Sequence, residues 1–213
     1  MNGSYQAPGL GIIHSAHYPK SVEEIRIALE ALHQYPALKA DIEGFSLKFD
    51  KAGVGTISFA WDKHNGIAFP VDYVAYPDGP NEVGEYGYQS PNIAVRALLV
   101  DFLTTYKGEL TFHNAGYDVK VLVYQLWMTG LRDTRGLLMG LDIMCARLHD
   151  TKVIAYLATN STAGNSLGLK GLAQEFAGNW ALDDEAINDI RRIPLDKLLQ
   201  YNLVDSLSTC YVF

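Results

Sequence analysis

The sequence predicts an α/β domain: a mixed sheet, an antiparallel meander followed by parallel strands, flanked by helices. Three observations predict it. Three short apolar strands follow one another between residues 38 and 71, separated by turn signals. From Pro91 onward the pattern changes to alternating helix and strand. The composition, 48% apolar and 19% charged over 213 residues, is that of one globular domain (residues 1–213) and excludes disorder, collagen-like repeats or a coiled coil as the whole answer.

Residues 1–36 form an N-terminal extension that ends in a helix, Ser21 to Tyr35. Ser21 can cap it, and Glu24 three residues later completes a capping-box pattern. Ile25, Leu29 and Leu32 then recur at helical spacing. Strands follow at Leu38–Phe45, Gly55–Trp61 and Gly66–Val71, with Gly53, Gly55 and residues 62–66 as turns. The stretch 73–91, rich in Pro, Gly and Tyr, reads as a long flexible surface loop. Next come a helix at Asn92–Tyr106, a strand at Glu109–His113, a helix at Tyr117–Thr129 and a strand at Leu141–Met144. A third helix at Asp150–Thr159 and a polar break at Asn160–Gly168 lead to helices at Leu169–Phe176 and Pro194–Val212, the last with proline in its first turn.

Charge and cysteine content narrow the function. With 17 basic and 24 acidic residues the net charge is −7, which argues against a module that holds duplex DNA tightly by counterion release. It does not exclude an enzyme that gathers acids around a metal. Cys145 and Cys210, the only cysteines, make neither a disulfide framework nor a zinc site. No window approaches the run of ~18 apolar residues that crosses a bilayer, and residues 1–10 have no signal-peptide pattern, so no membrane association and a cytoplasmic location are expected.

Three acidic patterns stand out. Asp41 and Glu43 are two apart on a predicted strand, so their carboxylates share one face while Ile42 points into the opposite layer. Two acids side by side raise each other's pKa unless a cation neutralises them. Asp118 follows the segment His113-Asn114-Ala115-Gly116-Tyr117, a strand end and a glycine turn, at the start of a helix. That places its carboxylate at the carboxyl edge of the sheet, where α/β sites form. Tyr201 and Asp205 are four apart on the last helix and share a face. Leu198, Leu199, Leu203 and Leu207 mark that helix as largely buried, and a carboxylate there needs a reason. Each pattern alone fits an ordinary surface or helix terminus.

Taken together, Asp-x-Glu, then Asn-x-x-x-Asp, then Tyr-x-x-x-Asp near the C-terminus resembles the three motifs of the DEDD 3′–5′ exonucleases. The resemblance runs from Ala37 to Phe213 and is closest to the proofreading domain of family A, polymerase I-like DNA polymerases; residues 150–157, 169–173 and 201–205 look phage-like. It implies a ribonuclease H-like fold, a location in the cytoplasm or, for a phage protein, the host cytoplasm, and a single-stranded DNA 3′ end as substrate. A polymerase domain or subunit is the implied partner. It also implies roles. Asp41, Glu43, Asp118 and Asp205 match the four metal-binding acids, and Tyr201 the residue that orients the attacking water. Leu47 matches an apolar wedge between terminal bases, Asn114 a polar contact to the substrate end, and Asp150 an acid standing behind the metal ligands. Phe45, beside that strand, is a second stacking candidate, with core packing as its alternative. A histidine subfamily carries its motif residue one position before this tyrosine, where Gln200 stands, so the tyrosine subfamily is favoured.

The chemistry so implied is two-metal phosphodiester hydrolysis, with two divalent cations about 4 Å apart. An all-carboxylate set suits Mg²⁺ or Mn²⁺. The expected arrangement has Asp41 bridging both ions, Glu43 and Asp205 completing the tighter site, and Asp118 serving the second. The product would be nucleoside 5′-monophosphates. A ribonuclease D-type RNA exonuclease, which shares the Tyr-x-x-x-Asp motif, and a non-catalytic module that cradles single-stranded ends are the alternatives. Lys120, Arg132, Arg135, Arg147, Lys152, Lys170, Arg191 and Arg192 are too few to hold duplex tightly and read chiefly as solvated helix faces.

Overall fold

The computed structural model describes residues 10–159, 167–178, 180 and 189–213. Its centre is a six-stranded mixed sheet. The strands are β1 (Ser15–His17), β2 (Ala37–Glu43), β3 (Thr56–Ala60), β4 (Asn65–Pro70), β7 (Glu109–Phe112) and β8 (Leu148–Asp150). Their spatial order is β1-β4-β3-β2-β7-β8. β2, β3 and β4 form the expected antiparallel meander, while β7 and β8 add in parallel beside β2, and β1 lies parallel to β4 at the other edge. A two-stranded ribbon, β5 (Tyr73–Ala75) and β6 (Gly87–Gln89), stands apart from the sheet.

Strand periodicity sorts β2 into two layers. Leu38, Ala40 and Ile42 enter a large core with Ile57 and Phe59 of β3 and Phe69 of β4. That core is closed by helices α1 (Val22–Leu32), α2 (Ile93–Thr105) and α3 (Gly116–Trp127), with Met144 of α4 (Thr134–Cys145). The capping box at Ser21 is formed in full: Glu24 N donates to Ser21 Oγ at 3.2 Å and Ser21 N to Glu24 Oε2 at 3.0 Å.

The other layer is carried by α8 (Leu195–Val212), with the single-turn helices α6 (Leu169–Leu172) and α7 (Gln174–Ala177). Alternate residues on this side of the meander are small: Ser58 and Ala60 on β3, Gly66 and Ala68 on β4. They let the helix approach the sheet closely; a Cβ on Gly66 would lie 2.7 Å from Leu203 Cδ1. Ala60, Ala68, Leu199, Leu203, Val204 and Leu207 form the resulting apolar contact, each leucine contributing about 1.5–3 kcal/mol by leaving water. Polar residues bind helix to sheet within it. Ser58 Oγ donates to the Asn202 carbonyl at 2.8 Å, and Ser58 and Ser206 share a hydrogen bond of 2.7 Å.

Several elements differ from the sequence expectation. Residues 141–144 lie inside α4, whose N-terminus is capped by the Asp133 carboxylate accepting from Gly136 N at 2.8 Å. A four-residue apolar run does not by itself distinguish strand from helix. The strand of this region is instead β8, at 148–150. The stretch 73–91 is closed at both ends by the β5–β6 ribbon, and Tyr73 Oη donates to the Ile193 carbonyl at 2.7 Å. The helix expected over 169–176 is broken at Ala173 into α6 and α7. The extension 1–36 also contributes the edge strand β1, and α5 (Thr151–Thr159) begins one residue after its expected start. Most of the polar break at 160–168 lies outside the described residues.

Candidate active site

The face of β2 turned away from the large core carries Lys39, Asp41 and Glu43, and α8 lies across it. Asp41, Glu43 and Asp205 come together there. Each offers a carboxylate oxygen, and these atoms lie within 4.8 Å of one another. Asp118, in the first turn of α3, is only 4% exposed and stands just outside that mutual set, but its charge acts on both Asp41 and Glu43. The backbone of Ile42, the residue between the two strand acids, and the backbone of Asp118 itself favour the ionised form of its carboxylate. Tyr201 sits one helical turn before Asp205 and lies in the field of Asp205, Glu43 and Asp41.

The cluster is held by neutral donors. Asn202 Nδ2 donates to Asp41 Oδ2 at 2.6 Å, and Trp180 Nε1 donates to Asp205 Oδ1 at 2.7 Å. Asn202 is itself fixed by Thr56, whose Oγ1 donates to Asn202 Oδ1 at 3.1 Å. Each partner donates to one oxygen of its carboxylate. Lys170 Nζ donates to the Tyr201 hydroxyl at 2.6 Å, and the charge of Lys170 also favours the ionised forms of Glu43 and Asp205.

Burial raises all four acids, and repulsion from neighbouring carboxylates adds to it at Asp41, Glu43 and Asp118. Asp41 is pushed well above the usual carboxylate range, chiefly by burial and then by the charges of Asp205, Asp118 and Glu43, against the opposing bond from Asn202. Burial, then Asp205 and Asp118, raise Glu43 to about 8. Asp118 is raised to about 8, burial again leading. Asp205 rises only to about 6, because the Trp180 bond and Lys170 oppose burial. Burial and the three acids push Tyr201 up as well. A set of close carboxylates that resists full ionisation fits a hard divalent cation, which removes the repulsion and replaces the lost water.

The remaining residues singled out by sequence are distributed around this centre. Leu47, in the turn after β2, is 90% exposed. Phe45 is half-buried against the small cluster of Tyr73, Ile190, Ile193 and Leu198, its ring 6.1 Å from that of Tyr73, so part of it serves packing. Asn114 adopts φ 63°, a left-handed conformation tolerated by asparagine, and its Oδ1 accepts from Lys152 Nζ at 3.3 Å. Asp150 organises that turn: its carboxylate accepts from the amides of Asn114 at 3.0 Å, Ala115 at 3.0 Å and Lys152 at 2.9 Å. It thus sets the path of the backbone into α3, where Asp118 begins.

Sequence reading missed Asn202 and Trp180. Asn202 had a signal, since it lies three residues before Asp205 on a helix and so close to the same face. Trp180 had none, since it stands beyond the last periodic pattern of its region. Replacing Asn202 by leucine should raise the dissociation constant for Mn²⁺ by about 10- to 100-fold, the usual effect of losing a partner that orients a ligand. Isothermal titration would show it, and an unchanged affinity would mean that Asn202 only supports the helix.

No family model matches the sequence, and no curated protein matches it significantly. Solved structures do match in fold. The catalytic core of RRP6 from Trypanosoma brucei aligns with TM-score 0.58 and 14% identity, over 97% of this chain and 47% of that one. Pop2p of S. pombe, in a form with Mg²⁺ and Mn²⁺ bound, aligns with TM-score 0.59 and 15% identity, over 92% of this chain and 90% of that one. RNase D of Escherichia coli, an exoribonuclease involved in structured RNA processing, gives TM-score 0.52 and 15% identity, over 90% of this chain and 42% of its own. The chain therefore spans about half the length of the RRP6 core and less than half of RNase D. The shared architecture is the ribonuclease H-like nuclease fold, a mixed sheet flanked by helices.

Proposed function

We propose that this chain is a metal-dependent 3′–5′ exonuclease of the DEDD type that shortens single-stranded DNA ends. The observation that carries the reading is the meeting of Asp41, Glu43 and Asp205 within 4.8 Å on a fold shared with nucleases, with Tyr201 one turn from Asp205. Asp41, Glu43 and Asp205 would hold one divalent cation, and Asp118 with Asp41 a second. Such ions, when bound, supply charge relief to a phosphodiester and make water a better nucleophile at neutral pH.

The chain's own residues do the rest. Without cations these acids hold much of their complement of protons and offer no charge relief to a phosphodiester, so cleavage should be strictly cation-dependent. Asn202 and Trp180 keep Asp41 and Asp205 in one orientation, so little reorganisation is needed as substrate arrives. Tyr201 is unsuited to act as a base, because its environment raises its pKa; its hydroxyl orients what binds among the acids. Leu47, 90% exposed, would wedge against a terminal base without reading its edge, as a proofreading enzyme requires. A polymerase domain or subunit would supply the duplex grip that a chain of net charge −7 lacks.

A second reading, trimming of RNA 3′ ends, is favoured by the fold likeness to RNase D, described as an exoribonuclease. One experiment tests both. Matched DNA and RNA single strands, labelled at the 5′ or the 3′ end, are digested with Mg²⁺, with Mn²⁺ and with chelator. The proposal expects a ladder that shortens from the 3′ end, releases mononucleotides and vanishes with chelator. Faster loss of RNA selects the second reading, and activity that survives chelator overturns both. Tyr201→Phe should lower turnover by about 10- to 100-fold while leaving Mn²⁺ affinity unchanged within about twofold.

A further inference from the structure

We propose that Lys170 is a positioning residue: its ammonium occupies one lone pair of the Tyr201 oxygen and so commits the phenol to act as a hydrogen-bond donor toward whatever is held among the carboxylates. This rests on the exonuclease reading above and assigns a part to a residue outside the acidic motifs.

An ammonium has three donors and no lone pair, whereas a phenol can give or accept. In the 2.6 Å contact between Lys170 Nζ and Tyr201 Oη the phenol must therefore accept. Its single proton is then left for another partner. The ammonium stands 4.9 Å from the centre of the Tyr201 ring, off its hydroxyl end, so it holds the phenol at the oxygen. Both residues are half-buried, which strengthens a charge-assisted bond.

The placement of Lys170 is built in. It lies on α6, a single turn whose successor, Ala173, is fully buried beneath α7 and α8. Carboxylates are close by, and the charge of Lys170 acts on Glu43 and Asp205. Yet among the described residues its hydrogen bond goes to the phenol rather than to an acid. A cation that merely balanced the cluster would pair with a carboxylate directly. With the phenol oxygen occupied from the α6 side, its O–H is free to donate to a water or a phosphate oxygen held between Tyr201 and the acids.

The test combines Lys170→Met, Lys170→Arg and Tyr201→Phe, singly and with Met and Phe together, on single-stranded oligonucleotide with Mn²⁺. Lys170→Met should lower kcat by about 10- to 100-fold, the scale of a misplaced catalytic group, and leave KM within about twofold. The double variant should be no slower than Tyr201→Phe alone, and Lys170→Arg should recover part of the loss. Multiplying effects in the double variant, or a loss that appears in KM, would overturn the proposal, the latter pointing to direct phosphate binding. A readout without substrate separates this from the exonuclease reading: in metal-free protein carrying ¹³Cζ-labelled tyrosine, the Tyr201 resonance, assigned by its absence in Tyr201→Phe, should move in Lys170→Met. An unmoved resonance sinks the positioning role whatever the activity. An inactive but folded wild type sinks the exonuclease reading, and the role in turnover with it.

Discussion

Asparagine at position 41 is expected to abolish exonuclease activity and to make the metal-free protein more stable. The substitution keeps the shape of the side chain, and the new amide can still accept from Asn202 through its own oxygen. It removes the charge that sits at the centre of the cluster. Turnover should fall by about 10³-fold or more, the scale seen when a central member of a catalytic unit is removed. Metal-free stability moves the other way because Asp41 is held against burial and against Asp205, Asp118 and Glu43. At pH 8 the melting temperature of Asp41→Asn should exceed that of the parent by a few degrees, at roughly 2–4 °C per kcal/mol for a chain of this size. Calorimetry in chelator checks the second half and the labelled-oligonucleotide assay the first. A variant that is inactive and also less stable would mean that Asp41 serves the fold rather than the chemistry.

The pH dependence of the metal-free protein carries the second large effect. Unfolded, these carboxyls lose their protons near pH 4. Folded, Glu43 and Asp118 keep theirs to about 8 and Asp205 to about 6, with burial as the leading cause in each. Between those limits the folded state binds more protons than the unfolded one, so the stability these three groups contribute falls as pH rises through the window, and Asp41, also raised, acts in the same direction. This is the reverse of a salt-bridged carboxylate. Divalent cations should flatten the dependence, since they favour the ionised acids. Saturation at 100 times the dissociation constant adds about 2.7 kcal/mol. Melting temperatures between pH 5 and 9, with chelator and with Mg²⁺, provide the measurement. A metal-free protein whose stability rises from pH 5 to 8 would contradict the cluster as described.

The two expectations share a cause. Gathering four acids on a buried face is unfavourable for folding, and the fold offsets it with the surrounding core. Large leucines on α8 and small residues on β3 and β4 allow the close packing that brings Asp205 to the strand acids. A site that binds cations strongly is one whose empty state is strained by repulsion.

What could be read from sequence was local. Strand alternation placed Asp41 and Glu43 on the face opposite Ile42, and the structure has Ile42 in the large core. Helical spacing placed Tyr201 and Asp205 on one side of a buried helix, and the capping box at Ser21 formed as its spacing predicted. These follow from periods of two and 3.6 residues, which act over a few neighbours. Tertiary packing alone decided the rest. It put residues 141–144 in a helix, paired β5 with β6, and turned Phe45 toward Tyr73. It also chose Asn202 as the partner of Asp41, Trp180 as that of Asp205 and Lys170 as that of Tyr201. Those pairs are remote in the chain, and no local period relates them. They exist because small side chains let α8 settle on the meander at one depth and one rotation, and that geometry belongs to the assembled layers rather than to any one segment.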